Sequence, residues 1–308
     1  MTKRITALVA LALFAAACTG GATASPTPTP SATTSPTVAP SPTVSPSPSA
    51  SPSASPASGI YLRAWQTQAL PPPSSFLTGP MLTVSDGVLI DNNVAIPMIF
   101  PGPLLILPNA SPITADGEKA IVEQARELGL LDGPTDFTAG SVMPGGVSGH
   151  LLLTAEGTTY ELIGNPDKLV MCNDKPCPVD PGSPEAFAAF WWLLQNTSSW
   201  LGGNLGPSAQ YQPERLAVLV VAPAAANGGT ATNEVAWPLT DFATFGVPLP
   251  GGQAMSCATV FGDDLSELLP VLRNANQMTV FVDSTGAKQS LNVRALVPQE
   301  PSPCPDQA

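Results

Sequence analysis

The chain has 308 residues, with 23 Asp and Glu against 11 Lys and Arg and a formal net charge of −12. An acidic surface makes nucleic acid a poor partner, and we predict none. The length allows one large domain or two small ones with a hydrophobic core.

The first 17 residues have the pattern of a secretory signal peptide. Lys3 and Arg4 give the positive start, and an apolar run over residues 5–17 follows. That run has 13 residues, whereas a transmembrane helix needs about 20. Removal of the signal would leave a formal charge of −14, because it takes away two of the basic residues.

The sequence Ala15-Ala16-Ala17-Cys18 resembles the lipobox of bacterial lipoproteins, in which the cysteine after three small or aliphatic residues is diacylated. The resemblance implies that Cys18 becomes the mature N-terminus and holds the protein on the membrane through its lipid, on the extracytoplasmic face. The alternative is an ordinary signal peptide cleaved after an Ala-x-Ala site, which leaves Cys18 as a free thiol.

Residues 18–58 predict a disordered tether that follows the lipidated cysteine. Ser, Thr, Pro, Ala and Gly make up almost all of this segment, and such a composition cannot bury a core. In a polyproline II conformation it would reach on the order of 120 Å.

Residues 59–308 predict an extracytoplasmic α+β domain, beginning with a hairpin. Asp86-Gly87 is a strong turn signal between short apolar runs at 81–85 and 88–90. Prolines break the apolar segment 94–107 and favour short edge strands. Thr114 then caps a helix over 115–128.

Six further elements follow: a hairpin of 150–155 with 158–163, a helix over 184–196 after Ser183, a strand at 216–222, a strand at 234–239, a helix from Asp263, and a hairpin of 279–283 with 290–296. Together they predict antiparallel sheets with packed helices. Because helix then hairpin occurs twice, we hypothesise two similar α-β-β units, with halves at 59–180 and 181–308.

Four cysteines other than Cys18 are an even number in an oxidising compartment, which predicts two disulfides. Three pairings can be drawn, and we favour Cys172 with Cys177 and Cys257 with Cys304. The alternative, a zinc site, is disfavoured because Cys-x4-Cys lacks the usual close spacing and His150 is the only histidine.

The candidate chemical motifs are weak. In Ser148-Gly149-His150 the serine stands one place too late for a nucleophile elbow. Asp91-Asn92-Asn93 and Asp263-Asp264 lack the alternating ligands of a calcium loop, and a turn and a helix cap explain them better. No phosphate-binding glycine loop occurs in the sequence. We therefore predict no catalytic residue, metal or cofactor.

An aromatic stripe lies on the predicted helix over 184–196 and just beyond it: Phe187, Phe190, Trp191, Trp192 and Trp200. Such a stripe at helical spacing is typical of core. Trp192 and Trp200 are the candidates for ligand binding, because Trp can also anchor a partner.

From residue 60 onward the chain resembles uncharacterised secreted lipoproteins of Gram-positive-type bacteria. The resemblance depends on Ser85-Asp86-Gly87-Val88-Leu89-Ile90, on Ala295-Leu296-Val297-Pro298 and on Cys304. It implies no activity.

The function we expect is therefore a lipid-anchored envelope protein whose domain binds a protein, peptide or cell-wall component. One alternative is a secreted hydrolase that acts on wall polymer or ester through unidentified carboxylates. Another is a structural spacer without a ligand.

Overall fold

A computed structural model describes residues 59–67, 74–93, 100–138, 147–223, 233–249 and 254–305. The predicted signal peptide, Cys18 and the predicted tether lie outside the described residues, as does the 94–99 part of the predicted edge-strand segment. The described residues belong to one compact unit, Ser55–Ala308. None of their helices is both long and apolar enough to span a membrane.

The described chain contains sixteen strands and five α-helices. The strands are β1 (Tyr61–Thr67), β2 (Leu82–Ser85), β3 (Val88–Asp91), β4 (Asn109–Pro112), β5 (Asp136–Phe137), β6 (Ser148–Ala155), β7 (Thr158–Gly164), β8 (Met171–Cys172), β9 (Lys175–Pro176), β10 (Ala209–Gln210), β11 (Arg215–Val221), β12 (Glu234–Ala236), β13 (Val247–Pro248), β14 (Ser256–Phe261), β15 (Val280–Val282) and β16 (Lys288–Leu296). The α-helices are α1 (Ser74–Leu77), α2 (Ala115–Glu127), α3 (Pro184–Gln195), α4 (Thr197–Leu201) and α5 (Gly262–Arg273).

The first sheet has eight strands in the order β10-β4-β3-β2-β1-β6-β7-β5. Its centre is the antiparallel pair of β1 and β6, which runs from Tyr61 opposite Thr154 to Thr67 opposite Ser148. The predicted hairpins at Asp86-Gly87 and at Glu156-Gly157 are both present. The residues of each turn have positive φ, which glycine adopts without strain.

Helices α2 and α3 pack on the first sheet and form its hydrophobic core. The hydroxyl of Thr114 accepts a hydrogen bond from the N–H of Gly117 (3.1 Å) and begins α2 as predicted. Ser183 caps α3 in the same way. The buried face of α3 includes Phe187 and Trp191, so most of the aromatic stripe is core.

The second sheet has six strands in the order β12-β15-β16-β11-β14-β13. Strand β11 is central and buried on both faces, as its continuous apolar run predicted. Helix α5 covers one face, together with Leu105 and Leu107 from the proline-rich segment. Pro270 lies inside α5, which begins at Gly262.

Both predicted disulfides are present. Cys257 and Cys304 join β14 to the C-terminal segment over the other face of the second sheet. Cys172 and Cys177 close the small hairpin of β8 and β9.

Two predicted strands are shorter in the structure. The strand expected over 234–239 ends at Ala236, because Pro238 has no N–H to donate. The first strand of the last hairpin spans only Val280–Val282, whereas its partner β16 has nine residues.

The architecture is α+β with packed helices, as the sequence predicts. The prediction of antiparallel sheets holds for most strand pairs, but each large sheet ends in one parallel pair, β5 with β7 in the first sheet and β12 with β15 in the second. A helix precedes an antiparallel hairpin in both sheets, α2 before β6–β7 and α5 before β15–β16. In the first sheet the leading strand of the hairpin, β6, lies beside β1. In the second sheet it is the trailing strand, β16, that lies beside the central strand β11. Helix α3 packs in the first core, although it follows residue 180.

Candidate functional site

A cavity of about 370 Å³ lies at one edge of β16. It is lined by Leu77, Asn92, Pro103, Leu104, Ile106, Pro108, Gln277 and residues 291–295. We call it the edge cavity. Ligand sites prefer concave surfaces that are mostly apolar with a few placed polar groups, and this lining has that composition.

The edge of β16 is open because β15 is short. The register pairs Val282 with Lys288 and Phe281 with Gln289, and it does not extend past Gln289 toward the C-terminal end of β16. Before β15 the chain turns away, since Asn276 accepts a hydrogen bond from the N–H of Thr279 (2.9 Å). About two thirds of β16 therefore has no neighbouring strand on this side in the described part of the chain.

The opposite wall is the segment 103–108. Its Leu105 and Leu107 side chains are buried in the second core, while the half-buried side chains of Leu104 and Ile106 line the cavity. The N–H of Leu104 donates to the C=O of Ala275 (3.1 Å), which fixes one end of the segment. The wall is therefore anchored independently of β16.

Three residues of the lining have amide side chains: Asn92, Gln277 and Asn292. Each carries both a donor and an acceptor. The charged side chain in the lining is Arg294, and its Nη1 lies 2.7 Å from Oε1 of Glu300. Because this ion pair compensates the guanidinium, the edge cavity offers hydrogen bonds without a net charge.

The C-terminal segment around Glu300 connects the second sheet to the first. Glu300 pairs with Arg294 of β16. It is 6% exposed, and its Oε2 accepts a hydrogen bond from the N–H of Val297 (3.1 Å). Next to it the hydroxyl of Tyr61 donates to the C=O of Pro298 (3.3 Å). Burial raises the pKa of Tyr61. The C-terminal segment therefore holds β1 and β16 close together at one polar junction.

A second cavity, of about 480 Å³, lies between α2 and the turn of β6 with β7. Glu118 lines it and is 7% exposed, and its Oε1 has no hydrogen-bond partner among the described residues. Burial raises the pKa of Glu118, while hydrogen bonds from the backbone of Ile60 and Gly87 oppose that rise. The rim carries two ion pairs, Lys119 with Glu123 and Arg126 with Glu156.

Neither of the predicted binding residues, Trp192 and Trp200, is among the described residues that line these two cavities. Trp192 is half-buried on α3, and its C=O accepts a hydrogen bond from Asn196 (2.8 Å). Trp200 packs edge-on against Phe190 with 6.2 Å between ring centroids. Their role in binding stays a prediction.

The only histidine stands on the outer face of the first sheet. His150 stacks on Trp65 with 5.2 Å between ring centroids, and its Nε2 lies 2.9 Å from the hydroxyl of Thr67. Burial lowers the pKa of His150. Its hydrogen bond is thus with Thr67 on the neighbouring strand, and Ser148 is no partner in it.

No group of three or more His, Cys, Asp or Glu side chains among the described residues is arranged to hold a metal ion. Val170 and Met171, next to the Cys172–Cys177 disulfide, are 54% and 42% exposed.

Comparisons with family models, with curated proteins and with solved structures give no match for this chain. Sequence reasoning missed the edge cavity, although one signal was present. The strands of the last hairpin were predicted over 279–283 and 290–296, so the second is longer and part of it must lack a pairing partner in the first.

Proposed function

We propose that this chain is a lipid-anchored cell-envelope protein that binds a protein, peptide or cell-wall component in the edge cavity. The observation that carries the proposal is the lining of this cavity. Amide side chains and an open strand edge face an apolar wall, and the only charged side chain in the described lining is already paired with Glu300. A neutral ligand with donors and acceptors fits such a lining.

The anchor rests on the sequence. Cys18 follows three alanines at the end of the signal peptide, and lipid chains at this position would hold the protein on the membrane. A Cys18→Ala variant should leave the membrane fraction, while Thr19→Ala should stay there. A Cys18→Ala protein that still sediments with membranes would refute the anchor.

The binding proposal is tested by retention of envelope components and purified wall polymer on the immobilised full chain. Ile106→Glu puts a charge into the wall of the edge cavity and should weaken retention about tenfold or more. Val170→Glu introduces the same charge at an exposed apolar residue outside the lining of the edge cavity, and this variant should retain as much as the unmodified protein. Thermal unfolding of both variants checks that each is folded.

Each other outcome contradicts the proposal. Equal retention by Ile106→Glu and the unmodified chain would place binding elsewhere. No saturable retention of any component by the unmodified, folded chain favours the spacer. Release of a product from wall polymer favours the hydrolase, whose best-placed carboxyl is Glu118 in the second cavity.

We also propose that the helix–hairpin units of the two sheets are similar α-β-β units. The order of elements supports this idea, since each unit has one helix followed by an antiparallel hairpin. Superposition of α2 with β6–β7 on α5 with β15–β16 tests it. A fit that aligns the helices but leaves the hairpins on different sides would refute it.

A further inference from the structure

The backbone of β16 has an orientation that can be derived from the hydrogen bonds at its paired end. Along an antiparallel strand, the N–H and C=O groups turn alternately toward one neighbour and toward the other. The N–H of Asp283 donates to the C=O of Ala287 (3.1 Å), so Ala287 faces the β15 side. Beyond the end of β15, the backbone groups of every second residue point to this same side of β16, namely those of Leu291, Val293 and Ala295.

The other side of the sheet gives the same result. The N–H of Leu249 donates to the C=O of Met255 (2.9 Å), which fixes the orientation of β14. The same alternation can be followed from β14 to β11 and from β11 to β16 through their registers. It places the backbone N–H and C=O groups of Asn292 and Arg294 on the side of β11. The register of β11 with β16 runs without interruption from Ser290 to Leu296, so no bulge changes the alternation.

The backbone groups of Leu291, Val293 and Ala295 therefore point into the edge cavity. No described residue donates to them or accepts from them. Their spacing is that of a strand, about 6.8 Å between alternate residues. Such a row of donors and acceptors is the template that an added strand pairs with.

We propose that an uncharged, extended peptide segment of a partner protein adds to β16 as a neighbouring strand in the edge cavity. The inference rests on the proposed binding function and names its ligand. Regularly spaced N–H and C=O groups match a peptide backbone, whereas the rings of a polysaccharide do not repeat donors and acceptors at this period. Compensation of Arg294 by Glu300 means that a charged ligand side chain would be buried unpaired.

The facing wall sets the side-chain preference. Successive side chains of an added strand point to opposite faces of the sheet. Leu104 and Ile106 give the ligand apolar contact, while the amides of Asn92 and Gln277 give it polar contact. A segment with alternating apolar and small polar residues satisfies both.

Residue-resolved amide hydrogen exchange of the unmodified full chain tests the proposal. In the free protein, the amides of Val293 and Ala295 should exchange fast, while those of Asn292 and Arg294 are protected by β11. The probe is a pool of capped, uncharged hexapeptides with alternating Val and Thr or Ser. Binding should slow exchange at the three edge residues about tenfold or more.

The matched control is the same pool with an N-methyl group on every second residue. Methylation removes the N–H groups that pair with β16 and leaves the side chains unchanged, so it should abolish protection. Protection of the edge amides before any peptide is added would overturn the proposal, because the chain itself would already fill the edge. Protection that rises with protein concentration alone would assign the edge to a second copy.

Failure of this inference is distinguishable from failure of the proposed function. If the unmodified chain retains an envelope component that Ile106→Glu loses, yet no peptide protects the edge, the binding function stands and strand addition is wrong. If nothing is retained and no peptide protects the edge, both are wrong.

Discussion

Two glycines that face each other across neighbouring strands allow α3 to lie close to the first sheet. Gly149 on β6 is opposite Gly164 on β7. A Cβ on Gly149 would come within 2.9 Å of the Trp191 ring, and one on Gly164 within 2.4 Å of the Phe187 ring. The two rings lie one helical turn apart, so the pair of glycines forms a shallow slot for both.

We expect Gly164→Ala to lower the free energy of unfolding by about 2 kcal/mol, because Phe187 is fully buried and must move. Urea unfolding measures the change. Gly203→Ala is the control, since a Cβ there meets nothing within 4 Å. Equal stability of the two variants would contradict the slot.

Glu118 predicts a dependence of stability on pH. Its pKa is raised in the folded protein by burial, so the protonated form is favoured by folding. The stability that this group contributes is fully present below its unfolded pKa and is lost as pH rises through its folded pKa.

The unmodified protein should therefore gain stability relative to Glu118→Gln as the pH falls from 7 toward 4. Urea unfolding at several pH values measures the difference. Glu123→Gln, on the same helix with a side chain 52% exposed, is the control. A difference that shrinks as the pH falls would show that the carboxylate is the favoured form.

At the scale of elements, short sequence signals correctly predicted the features that depend on neighbouring residues, namely helix caps and hairpin turns. Thr114 and Ser183 cap helices at the predicted positions because a side-chain oxygen satisfies a free N–H of the first turn. Asp86-Gly87 turns a hairpin because its residues adopt positive φ. The length of β15 was not predicted, since the turn of Asn276 with Thr279 that precedes it has no strong sequence signal.

The two disulfides differ in the length of chain that each one closes, with sequence separations of 5 and 47. In the chain-entropy model the short loop contributes about 2 kcal/mol and the long one about 4 kcal/mol. Replacing Cys257 and Cys304 by Ala should thus cost more stability than replacing Cys172 and Cys177. Denaturant midpoints of the two double variants measure this difference, and the reverse order would contradict it.

At the scale of the molecule, the chain passes between the two cores more than once. Leu105 and Leu107 pack in the second core before the first sheet is complete, and α3 returns to the first core. Such crossings depend on contacts distant in sequence, which local patterns cannot predict. The edge cavity, whose walls come from 103–108 and from β16, could not be predicted for the same reason.

The ion pair of Glu300 with Arg294 lies beside the junction between the two sheets. We expect it to contribute to the stability of the folded protein. Glu300→Gln should lower the free energy of unfolding by about 3 kcal/mol, because it leaves the Arg294 side chain, which is only 12% exposed, without a counter-charge. Urea unfolding measures the loss. The exposed Glu214→Gln is the control and should change stability by less than about 0.5 kcal/mol. A loss near zero for Glu300→Gln would show that water reaches Arg294.

The place where the folded domain begins has a mechanical consequence. Gly59 leads into β1, which is hydrogen-bonded to β2 on one side and along all seven of its residues to β6 on the other. Ladder hydrogen bonds run perpendicular to the strands, so the component of a tension ahead of Gly59 that lies along β1 loads these bonds in shear. Along that direction, the first strand to bear the tension is an inner strand of the first sheet, paired on both sides.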